Sequence, residues 1–129
     1  PTSYVPFRNT HLLSIAVSWA EVIKAESIYI GAVQQDSPDY PDCRAEYYEA
    51  YNKLVGVGTK PSTNIKVITP LLNMSRSEIV KKGIDIAAPL QLSWSCYERN
   101  DKACGCCQSC RLRLKAFEEA GFKDKIDYI

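Results

Sequence analysis

The sequence has no apolar run approaching membrane-spanning length, and its start lacks the basic-then-apolar layout of a secretory leader. Neither a membrane span nor export is suggested, and the expected location is cytoplasmic. Net charge is nearly missing too, since 16 Lys and Arg against 15 Asp and Glu leave +1 at pH 7. Without a net field to attract phosphate, nucleic acid is not the expected main partner, although a local basic patch is compatible with that balance. Internal repeats and low-complexity blocks are absent, so the chain reads as alternating short elements. Methionine is missing at position 1, where Pro1 stands, and the sequence therefore reads as cut or as part of something longer.

What is present suffices for one hydrophobic core and not for two: 129 residues, 46% of them hydrophobic. Over residues 10–25, Leu12, Leu13, Ile15, Ala16, Trp19, Val22 and Ile23 recur at helical spacing behind Asn9 or Thr10 as N-cap. This predicts a core-facing helix with Trp19 in the core. The run SIYIGAV, residues 27–33, is short and rich in β-branched and aromatic side chains, as a buried strand is. The turn-forming stretch QQDSPDYPD follows, then a helix over 43–54 whose Tyr47, Tyr48 and Tyr51 suit either an interface or a partly buried face. NIKVITPL gives a second strand. Ser75 and Glu78 have capping-box spacing for a helix ending at Gly83, and Leu112, Leu114, Ala116, Phe117 and Ala120 mark a last helix closed by Gly121. Helices alternating with short strands imply an α/β fold with a parallel sheet, whose ligands sit beyond the carboxyl ends of the strands. The loop 34–42 is the first place to look for binding residues.

Five of six cysteines fall in SCYERNDKACGCCQSCR, residues 95–111. Two consecutive C-x-x-C steps bring Cys104, Cys107 and Cys110 around one tight loop, and Cys96 can add a fourth thiolate. Four soft ligands in a tetrahedron suit structural zinc, with Gly105 letting the backbone turn beside the ion. An iron–sulfur cluster and a redox pair of Cys104 with Cys107 are the competing readings. Cys106 is a bystander unless Cys96 lies too far away. A closed four-cysteine site does no chemistry; it folds the chain around it. The expected organisation is therefore an α/β part over 1–93 and a zinc-binding segment with the terminal helix over 94–129.

Three stretches, YVPFRN (4–9), GAVQQDSPDYPDCR (31–44) and the cysteine segment ending CQSCR, resemble in order and spacing the second half of the 7-cyano-7-deazaguanine synthase family. The resemblance runs nearly end to end. It implies a Rossmann-like sheet of the PP-loop, or N-type ATP pyrophosphatase, group. It also implies a ligase that converts 7-carboxy-7-deazaguanine and ammonia to the nitrile of queuosine biosynthesis, with ATP and Mg²⁺. A homodimer is implied as well. The group's Ser-Gly-Gly-x-Asp-Ser ATP loop does not occur in these 129 residues. The expectation is a C-terminal part that does not turn over alone.

By the same resemblance Arg8 and Asn9 belong to the nucleotide or substrate side of the site, while a solvent-facing arginine and an N-cap asparagine are the plain alternative. Asp36, Tyr40, Asp42 and Arg44 would face the purine-like substrate, or serve as turn and cap residues. No catalytic residue is identified. His11 has no role in that chemistry, Cys43 reads as a small buried residue, and Arg111, Arg113 and Lys115 read as a solvated helix face. A different class, a zinc-knuckle module binding RNA or protein, rests on the cysteines and these trailing basic residues; it lacks interleaved aromatic groups. A related tRNA thiolase would need a cysteine pair free of metal.

Overall fold

The computed structural model describes residues 3–129 and divides into two compact units, Pro1–Asn73 and Met74–Ile129.

In the first unit helix α1 spans Arg8–Ile23 and opens on Phe7, whose left-handed backbone (φ 62°) makes no side-chain cap. Neither Asn9 nor Thr10 is the cap; both lie in the first turn. Strand β1 (Ser27–Tyr29), helix α2 (Ala45–Gly58) and strand β2 (Lys66–Ile68) follow, and the strands pair in parallel with Ile28 opposite Val67. The expected strands are longer than this because each ladder ends where its single partner ends. After β1 the chain turns away, with the Gln34 N–H donating to the Leu72 carbonyl at 2.8 Å.

The core of this unit joins Leu13 and Ala20 of α1, Tyr48, Tyr51 and Val55 of α2, and Ile65, Val67 and Leu72 around β2. Hydroxyl pairs one helical turn apart lock α1 to α2: Thr10 with Tyr47 at 2.7 Å and Ser14 with Tyr51 at 3.4 Å. Tyr48 and Tyr51 are thus buried helix-packing residues. The reading of α1 as wholly core-facing is corrected. Leu13, Val17 and Ala20 form its inner stripe, whereas Leu12, Ile15, Trp19, Val22 and Ile23 form a second apolar stripe that is exposed, Trp19 at 67%. Helical spacing marks an apolar stripe but cannot say whether anything covers it.

Asn52 of α2 settles one sheet edge. Its Oδ1 accepts from the Val67 N–H at 2.8 Å and its Nδ2 donates to the Val67 carbonyl at 3.0 Å, so one side-chain amide takes the place of a neighbouring strand. The other edge, along β1, carries no strand among the described residues.

In the second unit helix α3 spans Arg76–Asp85 and starts with the expected capping box. The Glu78 N–H donates to Ser75 Oγ, and the Ser75 N–H donates to Glu78 Oε2 at 2.7 Å. It runs through Gly83 instead of ending there. Gly83 is buried, and a Cβ on it would meet Leu90 Cδ2 at 3.0 Å, so its glycine permits close packing and not a helix stop. Helix α4 (Gln108–Ala120) packs on α3 through Val80, Ala116, Phe117 and Ala120, with Ile84 and Leu90 beside them. Gly121, at φ 81°, closes α4 as the sequence implies.

Candidate metal centre

The four sulfurs of Cys96, Cys104, Cys107 and Cys110 lie within 4.8 Å of one another, drawn from the loop before α4 and from its first turn. Bonds of about 2.3 Å to a tetrahedral ion would place sulfurs about 3.8 Å apart, and the Cys104 and Cys110 sulfurs are 3.9 Å apart. Cys106 is exposed and stands outside the group. Cys96, the ligand most distant in sequence, is within reach.

The backbone is folded to support anionic sulfur. The Cys104 N–H donates to Cys96 Sγ (3.5 Å), the Cys107 N–H to Cys104 Sγ (3.3 Å) and the Cys110 N–H to Cys107 Sγ (3.4 Å). The last bond makes Cys107 the N-cap of α4, where a thiolate also meets the positive end of the helix. Gly105, at φ 69°, supplies the left-handed turn between two of these bonds. The Cys104 N–H, helped by the backbone at Glu98 and Arg99, holds the Cys96 thiol down to about 6, while burial pushes the Cys110 thiol up to about 12. Four sulfurs this close cannot all ionise without a cation among them, and the donor set, all sulfur and no carboxylate, suits a soft or borderline metal.

A second cluster, in the first unit, gathers some of the residues expected to bind substrate. Asp42 is buried and its Oδ2 accepts the Asn9 N–H at 2.9 Å. Asn9 Nδ2 donates to the Asp42 carbonyl at 3.0 Å and reaches the Tyr48 hydroxyl at 3.4 Å. Asp42 therefore caps α1, supplying the hydrogen-bond acceptor that the Phe7 side chain cannot. The YVPFRN and YPDCR stretches are thus one hydrogen-bonded unit. Cys43 lies at its centre; burial, then the charges of Asp42 and Asp36, push its thiol up, with Asn9 and Arg8 opposing. It is a buried neutral thiol. Arg8 and Asp36 are half-buried, Arg44 is exposed at the start of α2, and Tyr40 pairs its hydroxyl with Ser3 Oγ at 2.8 Å against the edge of Tyr4. Asp42→Ala should cost about 1–2 kcal/mol through the lost cap, with Asp42→Asn milder, as read by urea denaturation.

Sequence reasoning missed Arg113, which is no solvated surface residue. Its guanidinium grips Asp124 through Nε (2.5 Å) and Nη2 (3.0 Å), donates to the carbonyls of Ser93 and Leu90, and lies over the Phe117 ring. Asp124 is buried and Arg113 is partly so, with side chains 2% and 11% exposed. A signal for this was available: Cys110, Arg113, Phe117 and Ala120 share the 3-4-3 spacing of one helix face, and the other three are cysteine or apolar.

Comparison with known proteins shows which family the chain belongs to. The chain is 62% identical over 128 residues to a 7-cyano-7-deazaguanine synthase from Chlorobium phaeobacteroides (strain DSM 266 / SMG 266 / 2430) and 56% identical to one from Campylobacter curvus (strain 525.92). Each alignment covers 99% of this chain and 57% of the relative, so the chain spans little more than half the length of the curated relatives it matches. The family model described as Queuosine biosynthesis protein QueC matches residues 1–121, and with a match of that extent the chain belongs to the QueC family.

Proposed function

We propose that this chain is the zinc-bearing part of an ATP-dependent ligase that makes 7-cyano-7-deazaguanine from 7-carboxy-7-deazaguanine and ammonia. The observation that carries the reading is family membership, supported by relatives bearing that synthase name across the whole chain. The zinc-knuckle alternative gains nothing from those names.

The chemistry needs ATP twice. A carboxylate oxygen is a poor leaving group; transfer of AMP to it, with pyrophosphate released, turns it into a good one. Ammonia attacks the acyl carbon and AMP departs, leaving the amide. A second adenylylation on the amide oxygen lets AMP leave with loss of two N–H protons, giving the nitrile. Mg²⁺ supplies charge shielding for the triphosphate. On this chain, the unit built by Asn9 and Asp42 fixes the loop 34–44, and Arg8, Asp36, Tyr40 and Arg44 are the side chains that loop and helix present to substrate or nucleotide. Zinc is the ion best suited to four cysteine sulfurs at this spacing, and its role is to fold the second unit.

A wider, Rossmann-like parallel sheet belongs to the same reading. Asn52 blocks growth beyond β2, which leaves β1 as the edge where further strands add. A cytoplasmic homodimer is also part of it, and the exposed stripe of Leu12, Ile15, Trp19 and Val22 is a surface that supports such assembly.

The test is a chimera in which this chain replaces the matching portion of the Chlorobium phaeobacteroides relative. Nitrile formation dependent on ATP, 7-carboxy-7-deazaguanine and ammonia is expected, and the 129 residues alone should give none. A folded, metal-loaded chimera that hydrolyses or binds ATP yet yields no nitrile would overturn the reading.

A further inference from the structure

Residues 124–129 lie beyond the part of the chain matched by the family model, yet they close a circuit around the cysteine site. The circuit begins on α4. Three residues after Cys110, Arg113 holds the Asp124 carboxylate with two hydrogen bonds. Asp124 Oδ2 also accepts the Tyr128 hydroxyl at 2.7 Å. Around Tyr128 the backbone pairs in parallel with Ala103: the Ala103 N–H donates to the Asp127 carbonyl at 2.8 Å, and the Ile129 N–H donates to the Ala103 carbonyl at 3.1 Å. Ala103 is fully buried and immediately precedes Cys104. On the other side of Cys104, a Cβ on Gly105 would sit 3.7 Å from Tyr128 Cδ1, so the tyrosine ring lies along that glycine. Ile126 and Tyr128 also pack on the cluster of Cys96, Ala103 and Cys110.

The consequence follows from connectivity. Cys104 sits on a loop, whereas Cys107 and Cys110 belong to the start of a helix. Besides the short turn at Gly105 and the Cys107 N–H that donates to Cys104 Sγ, those two parts of the ligand set are linked through Arg113, Asp124, Tyr128 and Ala103.

We propose that residues 124–129 form a strap that positions Cys104 against Cys107 and Cys110 and thereby sets how fast the bound metal leaves. This rests on the zinc reading above. Tyr128 and Asp124 are positioning residues, acting on the metal through the backbone that carries its ligands.

The experiment follows zinc transfer from the zinc-loaded 129-residue chain to an excess of chromogenic chelator at neutral pH. Tyr128→Ala and a chain ending at Lys123 should release zinc faster than the parent by about tenfold or more. Tyr128→Phe, which keeps the ring along Gly105 and loses the bond to Asp124, should fall between. Far-UV circular dichroism of the zinc-loaded proteins should match the parent, which separates ligand positioning from loss of fold. If the shortened chain does not fold, the single hydroxyl removed in Tyr128→Phe decides. Parental release rates in both Tyr128 variants would overturn the strap. A parent that holds no stoichiometric zinc would overturn the zinc reading, whereas one zinc per chain with unchanged rates removes the strap alone.

Discussion

Replacing Cys110 with serine is expected to abolish metal retention and to melt much of the Met74–Ile129 unit. The unit has little else to fold on. Its apolar core among the described residues consists of Val80, Ala116, Phe117 and Ala120 with Ile84 and Leu90 at the margin, and a segment of under about 60 residues is marginal on a core that small. Structural zinc in peptides contributes about 10–16 kcal/mol in apparent terms at neutral pH, comparable to the net stability of a typical domain. Cys110 is 1% exposed and its backbone N–H donates to Cys107 Sγ, so the substitution removes a sulfur from the centre of the site. Metal analysis with amide-resolved NMR would check this. The resonances of 94–129 should collapse while those of the Pro1–Asn73 unit persist. A dispersed spectrum for 94–129 without metal would contradict the expectation.

The next largest effect is expected at Arg113. Cutting this side chain to alanine leaves the Asp124 carboxylate buried with one hydrogen-bond donor from Tyr128 and one from the Ile126 backbone, and removes the donors to Ser93 and Leu90. Removing one member of a buried ion pair costs about 3–5 kcal/mol because the remaining charge is left uncompensated. Chemical denaturation of the zinc-loaded protein would measure it, with Arg113→Lys recovering part of the loss. The pair has a pH signature as well. Burial alone would raise the Asp124 carboxyl, but hydrogen bonds from Arg113 and Tyr128 outweigh it and hold the group below its ordinary value of 3.8. A depressed carboxylate stabilises the folded state above that ordinary value, and the stabilisation is lost as pH falls below 3.8. Asp124→Asn should therefore flatten the acid limb of the stability profile.

Local features proved legible wherever one short stretch contained the whole interaction. Ser75 and Glu78 cap each other across three residues, Gly121 closes α4 by its own backbone angle, and the cysteine spacing picked out the four sulfurs that gather, with Cys106 set aside. The expected substrate loop was readable as a place but not as a set of roles. Asn9 and Asp42 are 33 residues apart, and nothing in either stretch says that one carboxylate will cap the other's helix. Trp19 shows the opposite failure, since its spacing announced a packed face and the described residues leave it bare. Gly83 could be read as a helix stop because a glycine's effect depends on what approaches it, here Leu90.

The sequence by itself determined the alternation of strands and helices, the four-cysteine set and the family, since each depends on residue type and spacing along the chain. Only the tertiary structure decided that Asn52 ends the sheet at β2, that Arg113 packs on the buried Asp124, and that the segment after Gly121 folds back onto the cysteine loop. The physical reason is that hydrogen bonds and ion pairs between distant residues depend on where the backbone brings them together. Charge and polarity in the sequence show that such partners are needed but do not say which ones meet.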